Sequence, residues 1–379
     1  MSDVYSTRAR IAVSATFALN GSLLGAWASR VPAVVERFSL SDATLGLFLL
    51  VMGIGALISF PLAGSMADRR GAYPVTVALA ALYLASILLI GFAPGTVVLG
   101  IALFLFGIGH GAMDVTMNSW AAEVERASGK SIMSSFHAMW SLGAGLGAGG
   151  GWLATKAGLP LEWHFTLTAL AAGLLFGPLM RSPWQSARSA PGKKGPIFAL
   201  PRGPLVLVGV IALCAGVGEG AAADWSAVYL HDVIGASQSQ AALGYAVFSA
   251  TMVAMRLCVD GLITRFGPMK VARASGLFAA SGYLLAVGLP GFTPALAGYV
   301  LMGIGYAAVI PLGFSRAARD PHVPPGQAIA SVATLGYGAM LMGPPTIGFI
   351  AELTSLRVSL GLIGVMALLI AALAPVLRR

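Results

Sequence analysis

Apolar runs long enough to cross a lipid bilayer recur twelve times along this chain. They fall at about 10–29, 43–66, 73–92, 96–120, 132–154, 163–181, 205–224, 240–263, 270–290, 294–315, 328–350 and 355–377. Crossing about 30 Å of hydrocarbon takes roughly 20 residues of helix. Backbone N–H and C=O groups in lipid must be satisfied within the chain, so unbroken apolar runs of this length fold as helices. Composition agrees: 57% of residues are hydrophobic and 10% charged, with mean hydropathy +0.84, where a water-soluble domain carries about 25% charged residues. The fold class expected is an all-α polytopic membrane protein with 12 transmembrane helices.

The twelve runs divide into two sixes because the sequence repeats itself. Trp27 lies 19 residues before the Gly of Leu45-Gly46-Leu47, and Trp225 lies 19 before the Gly of Leu243-Gly244-Tyr245. Gly107-Ile108-Gly109 answers Gly303-Ile304-Gly305 at an offset of 196, and Gly129-Lys130-Ser131-Ile132 answers Gly326-Gln327-Ala328-Ile329 at 197. Such a duplication predicts two pseudo-symmetric six-helix bundles, residues 1–181 and 204–379. The polar stretch 182–203 between them reads as a flexible cytoplasmic linker. Secondary transporters built from repeats of this kind hold substrate between their halves.

A net charge of +9 could point to nucleic acid, but its distribution is a topology signal. With the N-terminus inside, 18 of the 23 Lys and Arg fall on the cytoplasmic side, Arg30, Arg37, Lys156 and Arg357 fall outside, and Arg256 lies within a span. This is the positive-inside bias, and it predicts that both termini are cytoplasmic. The lipid bilayer is the expected partner and nucleic acid is not. Arg8 and Arg10 ahead of an apolar run ending Ala26-Trp27-Ala28-Ser29 would also suit a cleaved leader. The match of Trp27 to Trp225 favours the first helix of a repeat. Cys214 and Cys258 read as small buried hydrophobes, without disulfide or metal. The glycine run 143–151 reads as close helix packing rather than a hinge, and Gly343-Pro344-Pro345 should bend or break its helix.

Gly64-Ser-Met-Ala-Asp68-Arg69-Arg70-Gly71, between spans 2 and 3, resembles the signature loop of the major facilitator superfamily. Ala72 and Tyr73 stand where that loop's trailing basic pair is expected. The second-half counterpart, Asp260-Gly261-Leu-Ile-Thr264-Arg265-Phe-Gly267, has Thr at the Asp position. The resemblance implies alternating access and a gating role for Gly64, Asp68, Arg69 and Gly71, with Asp68 near Gly326 and Ala328 at the positive start of span 11. A topology-setting polar turn is the alternative. Gly109-His110-Gly111-Ala-Met-Asp114-Val-Thr-Met-Asn118-Ser-Trp120, with Ser134–Gly143, resembles the fucose-permease-like branch and its YbjJ-type bacterial inner-membrane members. That resemblance implies the plasma (inner) membrane of a bacterium and a monomer. The Arg of span 4 and the Gly-Pro of span 5 usual in drug-efflux branches are missing, which weighs against drug antiport.

Ionisable side chains within a span cost at least about 2.5–3.5 kcal/mol each and are candidate functional groups. His110, Asp114 and Asn118 are spaced i, i+4, i+8 on one face of span 4, and His137 and Trp140 of span 5 should lie at similar depth. The competing reading is a hydrogen-bond network that only fixes packing. Glu219 in span 7 reads as a lone buried carboxylate. By the resemblance it faces Asn20 of span 1, and Asp224 beyond it is either functional or interfacial. Arg256 and Asp260, at i, i+4 in span 8, are expected to form a salt bridge near the gate. Trp27, Trp140, Tyr306 and Tyr337 offer flat apolar faces suited to sugar rings, or simple packing.

The function expected is proton-coupled secondary transport of a small polar solute, sugar-like by preference, with protons carried by Asp114 or Glu219. The alternatives are a proton-driven efflux antiporter and, more distantly, a membrane sensor on the same fold. No cofactor or metal is expected: a nucleotide-binding glycine loop and a His-Glu-x-x-His helix are both missing, and a zinc enzyme built on His110, Asp114 and His137 gives the repeat no role. Topology is tested by single-cysteine labelling from outside the cell, which should reach the 30–42 connection and miss 182–203; the opposite pattern reverses the orientation.

Overall fold

The computed structural model describes residues 3–40, 42–181, 184–188 and 201–378. Among them the chain forms α-helices and no strand. The helices are α1 (Asp3–Phe38), α2 (Asp42–Arg70), α3 (Ala72–Gly91), α4 (Thr96–Ser128), α5 (Met133–Lys156), α6 (Leu161–Met180), α7 (Pro204–Val228), α8 (Gln238–Phe266), α9 (Pro268–Gly288), α10 (Phe292–Tyr306), α11 (Val309–Ala317), α12 (Pro325–Leu353) and α13 (Leu356–Leu373). Ten spans among the described residues, one of them running from Phe292 to Ala317, are apolar enough to cross a membrane, and the glycine-rich α5 and α12 complete twelve.

Two expectations about continuity change. The run 294–315 is interrupted at Ala307 and Ala308. Pro311 has no N–H to offer the Ala307 carbonyl, so the helical ladder loses a rung where α10 hands over to α11. Conversely, α12 is one continuous helix through Pro344 and Pro345, so of the expected bend or break the break does not occur. Cys214 is buried as expected, whereas Cys258 is exposed.

The described residues separate into two compact units. The first draws on Met1–Lys130, Phe136–Ala199 and Pro321–Ala330, and the second on Ser131–Ser135, Leu200–Asp320 and Ser331–Arg379. Residues 184–188 of the expected flexible linker are anchored on the first unit. Trp184 Nε1 donates to Glu123 Oε2 at 2.6 Å, and Tyr73 N–H donates to Ser186 Oγ at 2.9 Å. Most of the remaining linker lies outside the described residues.

Backbone contact through glycine assembles each unit. In the first, a Cβ on Gly21 or Gly25 of α1 would overlap the carbonyls of Trp140 or Ala144, and one on Gly143 or Gly147 of α5 those of Ala18 or Ser22. In the second, Gly216 of α7 meets the Gly336 carbonyl of α12 in the same manner. Gly107 presses on the Met52 carbonyl and Gly303 on the Phe248 carbonyl, while Gly109 lies on Tyr83 and Gly305 on Ala279. The contacted residues are separated by the same 196 positions as the glycines, so the sequence repeat is a repeat of contacts. Lipid tails are as apolar as the helices, and such small-residue approaches supply the packing that water-driven burial cannot. Gly25→Val and Gly147→Val should each lose about 1–3 kcal/mol or fail to assemble. Gly46→Val, whose Cβ meets nothing within 4 Å, should melt close to the parent in a detergent thermal unfolding series.

Candidate functional site

The first unit buries a connected polar cluster. On α4, Asn118 Nδ2 donates to the Asp114 carbonyl at 2.9 Å and to Asp114 Oδ1 at 3.2 Å, and Asn118 Oδ1 lies 3.1 Å from His137 Nε2. With the amide nitrogen committed to Asp114, the amide oxygen must accept, so His137 carries a hydrogen on Nε2. Asp114, Asn118 and His137 are all buried. Phe17 meets the His137 ring edge-on at 5.3 Å and stacks on Phe136 at 5.8 Å.

A second chain of contacts runs along the same helices α4 and α5. Trp140 Nε1 donates to Asn20 Oδ1 at 2.9 Å, and Asn20 Nδ2 donates to the His110 carbonyl at 3.4 Å. His110 Nδ1 lies 3.4 Å from Tyr83 Oη. The structure thus brings together Asn20, His110, Asp114, Asn118, His137 and Trp140. Tyr83 joins them without having been singled out; it sits in an otherwise apolar run, and only the tertiary contact gives its hydroxyl a partner. Trp27 does not join. It is 2% exposed and packs on Phe106, ring centroids 6.1 Å apart.

In the second unit the expected pairing is corrected. Arg256 does not bridge to Asp260, and Glu219 is not a lone carboxylate: Arg256 Nη2 lies 3.5 Å from Glu219 Oε2. The i, i+4 rule puts Arg256 and Asp260 on one face of α8, but both oxygens of Asp260 are taken by the Ser134 N–H (3.1 Å) and Ser135 N–H (2.7 Å). Free amides at a helix start compete for that carboxylate, and the long guanidinium reaches α7 instead. Around the pair, Tyr283 Oη donates to the Gly218 carbonyl at 2.8 Å, and the fully buried Tyr306 hydroxyl lies against Gly218. Tyr306 Oη and Glu219 Oε1 have no hydrogen-bond partner among the described residues. Tyr337 is half-buried and Asp224 exposed.

The signature segment has a geometry of its own. Asp68 Oδ1 accepts from the Gly326 N–H at 2.8 Å and Oδ2 from the Gln327 N–H at 3.0 Å. These are the second and third residues of α12, where backbone donors lack helical partners and the dipole favours an anion. Gly64 and Gly326 let the backbones meet, a Cβ on either lying 2.5 Å from the other's carbonyl oxygen. Gly71, at φ +94, takes a turn that side-chain-bearing residues avoid. Arg69 is exposed. Asp260 binds the second and third residues of α5 in the same way, one helical turn ahead of Thr264, the position where alignment of the repeats looks for it.

Twelve spans, an internal repeat of contacts and buried polar clusters define a polytopic membrane protein built from two repeats. Residues 11–325 match the family model described as Major Facilitator Superfamily. An "Uncharacterized transporter y4wD" of Sinorhizobium fredii is 53% identical over 97% of this chain and 97% of its own length. Among solved structures, the fucose:proton symporter FucP of E. coli superposes with TM-score 0.81 at 14% identity, covering 97% of this chain and 98% of its own. The human organic anion transporter MFSD10 gives 0.78 at 17%, covering 99% and 100%. The chain belongs to the Major Facilitator Superfamily: it is a multi-pass membrane transporter of bacterial type and not an enzyme.

Removing one partner of a buried ion pair strands the other. Arg256→Ala should therefore destabilise the protein by about 3–5 kcal/mol, and the double variant Arg256→Ala/Glu219→Gln should recover most of that loss in thermal unfolding. A double variant no more stable than Arg256→Ala refutes the pair.

Proposed function

We propose that the protein transports a small polar solute, sugar-like in chemistry, by alternating access driven by the proton gradient, in the bacterial inner membrane with both termini cytoplasmic. The observation that carries this reading is the Asp114–Asn118–His137 relay beside the Trp140–Asn20–His110–Tyr83 chain. Amide, imidazole and carboxylate groups provide matched donors and acceptors for hydroxyls, and Trp140 provides a flat face for an apolar ring surface. A cavity for lipophilic drugs would need breadth and few polar groups, whereas this cluster is dense in directional ones. The likeness of the fold to a fucose:proton symporter supports the same direction.

Asp114 and Glu219 are the proton carriers in this reading. Each sits in a span, where holding a charge is costly and taking up a proton relieves the cost. Glu219 exchanges its proton against the Arg256 contact, which gives protonation a structural consequence. Asp68, Asp260 and the glycines beside them serve gating, with Arg256 shared between the gate and the proton step.

The test is in two parts. A thermal-shift screen of sugars, polyols, acids and nucleosides on the purified protein should find one narrow class of polar ligand, with binding lost in Asn118→Ala and His137→Ala. With that ligand, Asp114→Asn and Glu219→Gln should abolish uncoupler-sensitive accumulation in cells. Accumulation retained by both variants, or dependent on sodium rather than protons, refutes the coupling. Resistance to several unrelated lipophilic cations that survives Asn118→Ala selects the efflux reading instead.

A further inference from the structure

Away from the polar cluster, the first unit holds a cation for which the described residues supply no counter-charge. Arg30, on α1, is 5% exposed. Its Nη2 donates to the Leu159 carbonyl in the α5–α6 turn at 2.9 Å, while Nε and Nη1 meet no acceptor among the described residues. Among the described residues Arg30 forms no ion pair. Arg37, two turns further along α1, shows the ordinary arrangement, paired with Glu162 at 3.1 Å and about one-third exposed.

His164 of α6 follows by five positions Leu159, whose carbonyl holds this guanidinium. It is 4% exposed, its Nε2 lies 3.3 Å from Thr168 Oγ1, and its Nδ1 has no partner among the described residues. Ser29 and His164 converge on Gly151 of α5. A Cβ there would overlap Ser29 Oγ and come within 3.4 Å of His164 Cε1, and one on Gly150 would lie 4.0 Å from His164 Nε2. Ser29 and the His164 ring thus close over the Gly150–Gly151 backbone, and Arg30 and His164 keep three buried nitrogens without a partner among the described residues.

A buried guanidinium without a counter-charge is strongly unfavourable, and its planar fork matches carboxylate and phosphate oxygens better than any other side chain does. A metal or organic cation is repelled here. We infer that Arg30 and His164 form a second binding site, for an anionic oxygen group of the carboxylate or phosphate kind. Arg30 Nε and Nη1 donate to the anion's oxygens and His164 Nδ1–H completes the set. Arg30 is ten residues from Asn20 on α1, about 15 Å along the axis, so the site is separate from the polar cluster and independent of the sugar reading. The anion comes from one of two sources, a lipid headgroup phosphate or a free acid in solution.

The experiment uses the full chain, purified and delipidated, with thermal unfolding read against sodium phosphate, sodium acetate and a sodium chloride control of equal ionic strength. It is repeated in nanodiscs of phosphatidylglycerol and of phosphatidylcholine. A saturable rise in melting midpoint of about 2–5 °C is expected. A rise with phosphate or acetate identifies a free anion, and a rise with phosphatidylglycerol alone identifies a lipid headgroup. Either should vanish in Arg30→Gln and shrink in His164→Gln. If Arg30→Gln fails to fold, Arg30→Lys with His164→Gln takes its place, the lysine keeping the charge while losing the fork. No rise in the parent protein with any of these probes, or a rise undiminished in the variants, overturns the site.

Discussion

The contact between α1 and α5 is the constraint on which the first unit rests. Gly21 and Gly25 face Gly143 and Gly147 so closely that a single Cβ at any of them would overlap backbone on the other helix. In lipid there is no water to expel, so helices associate through dispersion, weak polar contacts and shape, all of which fall off steeply with distance. That approach carries Asn20 of α1 to Trp140 of α5, and with it the hydrogen bond that ties these helices to His110 of α4. The polar cluster is a consequence of glycine packing as much as of the polar residues themselves.

Both units use the same device and fill it differently. Where the first places Asn20 and His110, the repeat gives the second Gly218 and Tyr306, with Glu219 beside them and Arg256 reaching in from α8. The backbone contacts at Gly107 and Gly109 recur at Gly303 and Gly305 on matching partners. Duplication has preserved the packing geometry, while the side chains it presents differ, an amide and an imidazole in the first unit and a carboxyl–guanidinium pair in the second. Scaffold and chemistry are therefore separable in this protein, as expected where function resides in sites carried on a common fold.

The carboxylates at the helix starts show the same separation. Asp68 and Asp260 each accept from the second and third residues of a following helix, yet they do not occupy equivalent positions in the repeat. A helix start offers a small cone of unpaired N–H groups, and any carboxylate delivered within it satisfies the requirement. A one-turn shift along α8 rotates the side chain by only about 40°, so Asp260 does the work with Thr264 in the nominal place.

What the sequence determined by itself was set by solvent and by local chemistry: twelve spans, their helical state, the twofold repeat of six spans, the signature loop, and the polar face of α4. Each follows from the length of apolar runs or from helical periodicity, both of which operate over a few residues. The same periodicity put Asp114 and Asn118 within reach of one another, as their hydrogen bond shows, and paired Arg256 with Asp260 wrongly. A shared helix face states which groups can meet, and only the neighbouring helices decide which of them do. The structure alone revealed the Arg256–Glu219 contact, Tyr83 as a partner of His110, Trp27 in packing, and Arg30 buried beside His164. All are contacts between elements far apart in the chain. They depend on interhelical distances set by glycines whose significance a sequence cannot display, because a glycine that admits another backbone looks the same as one that faces open space.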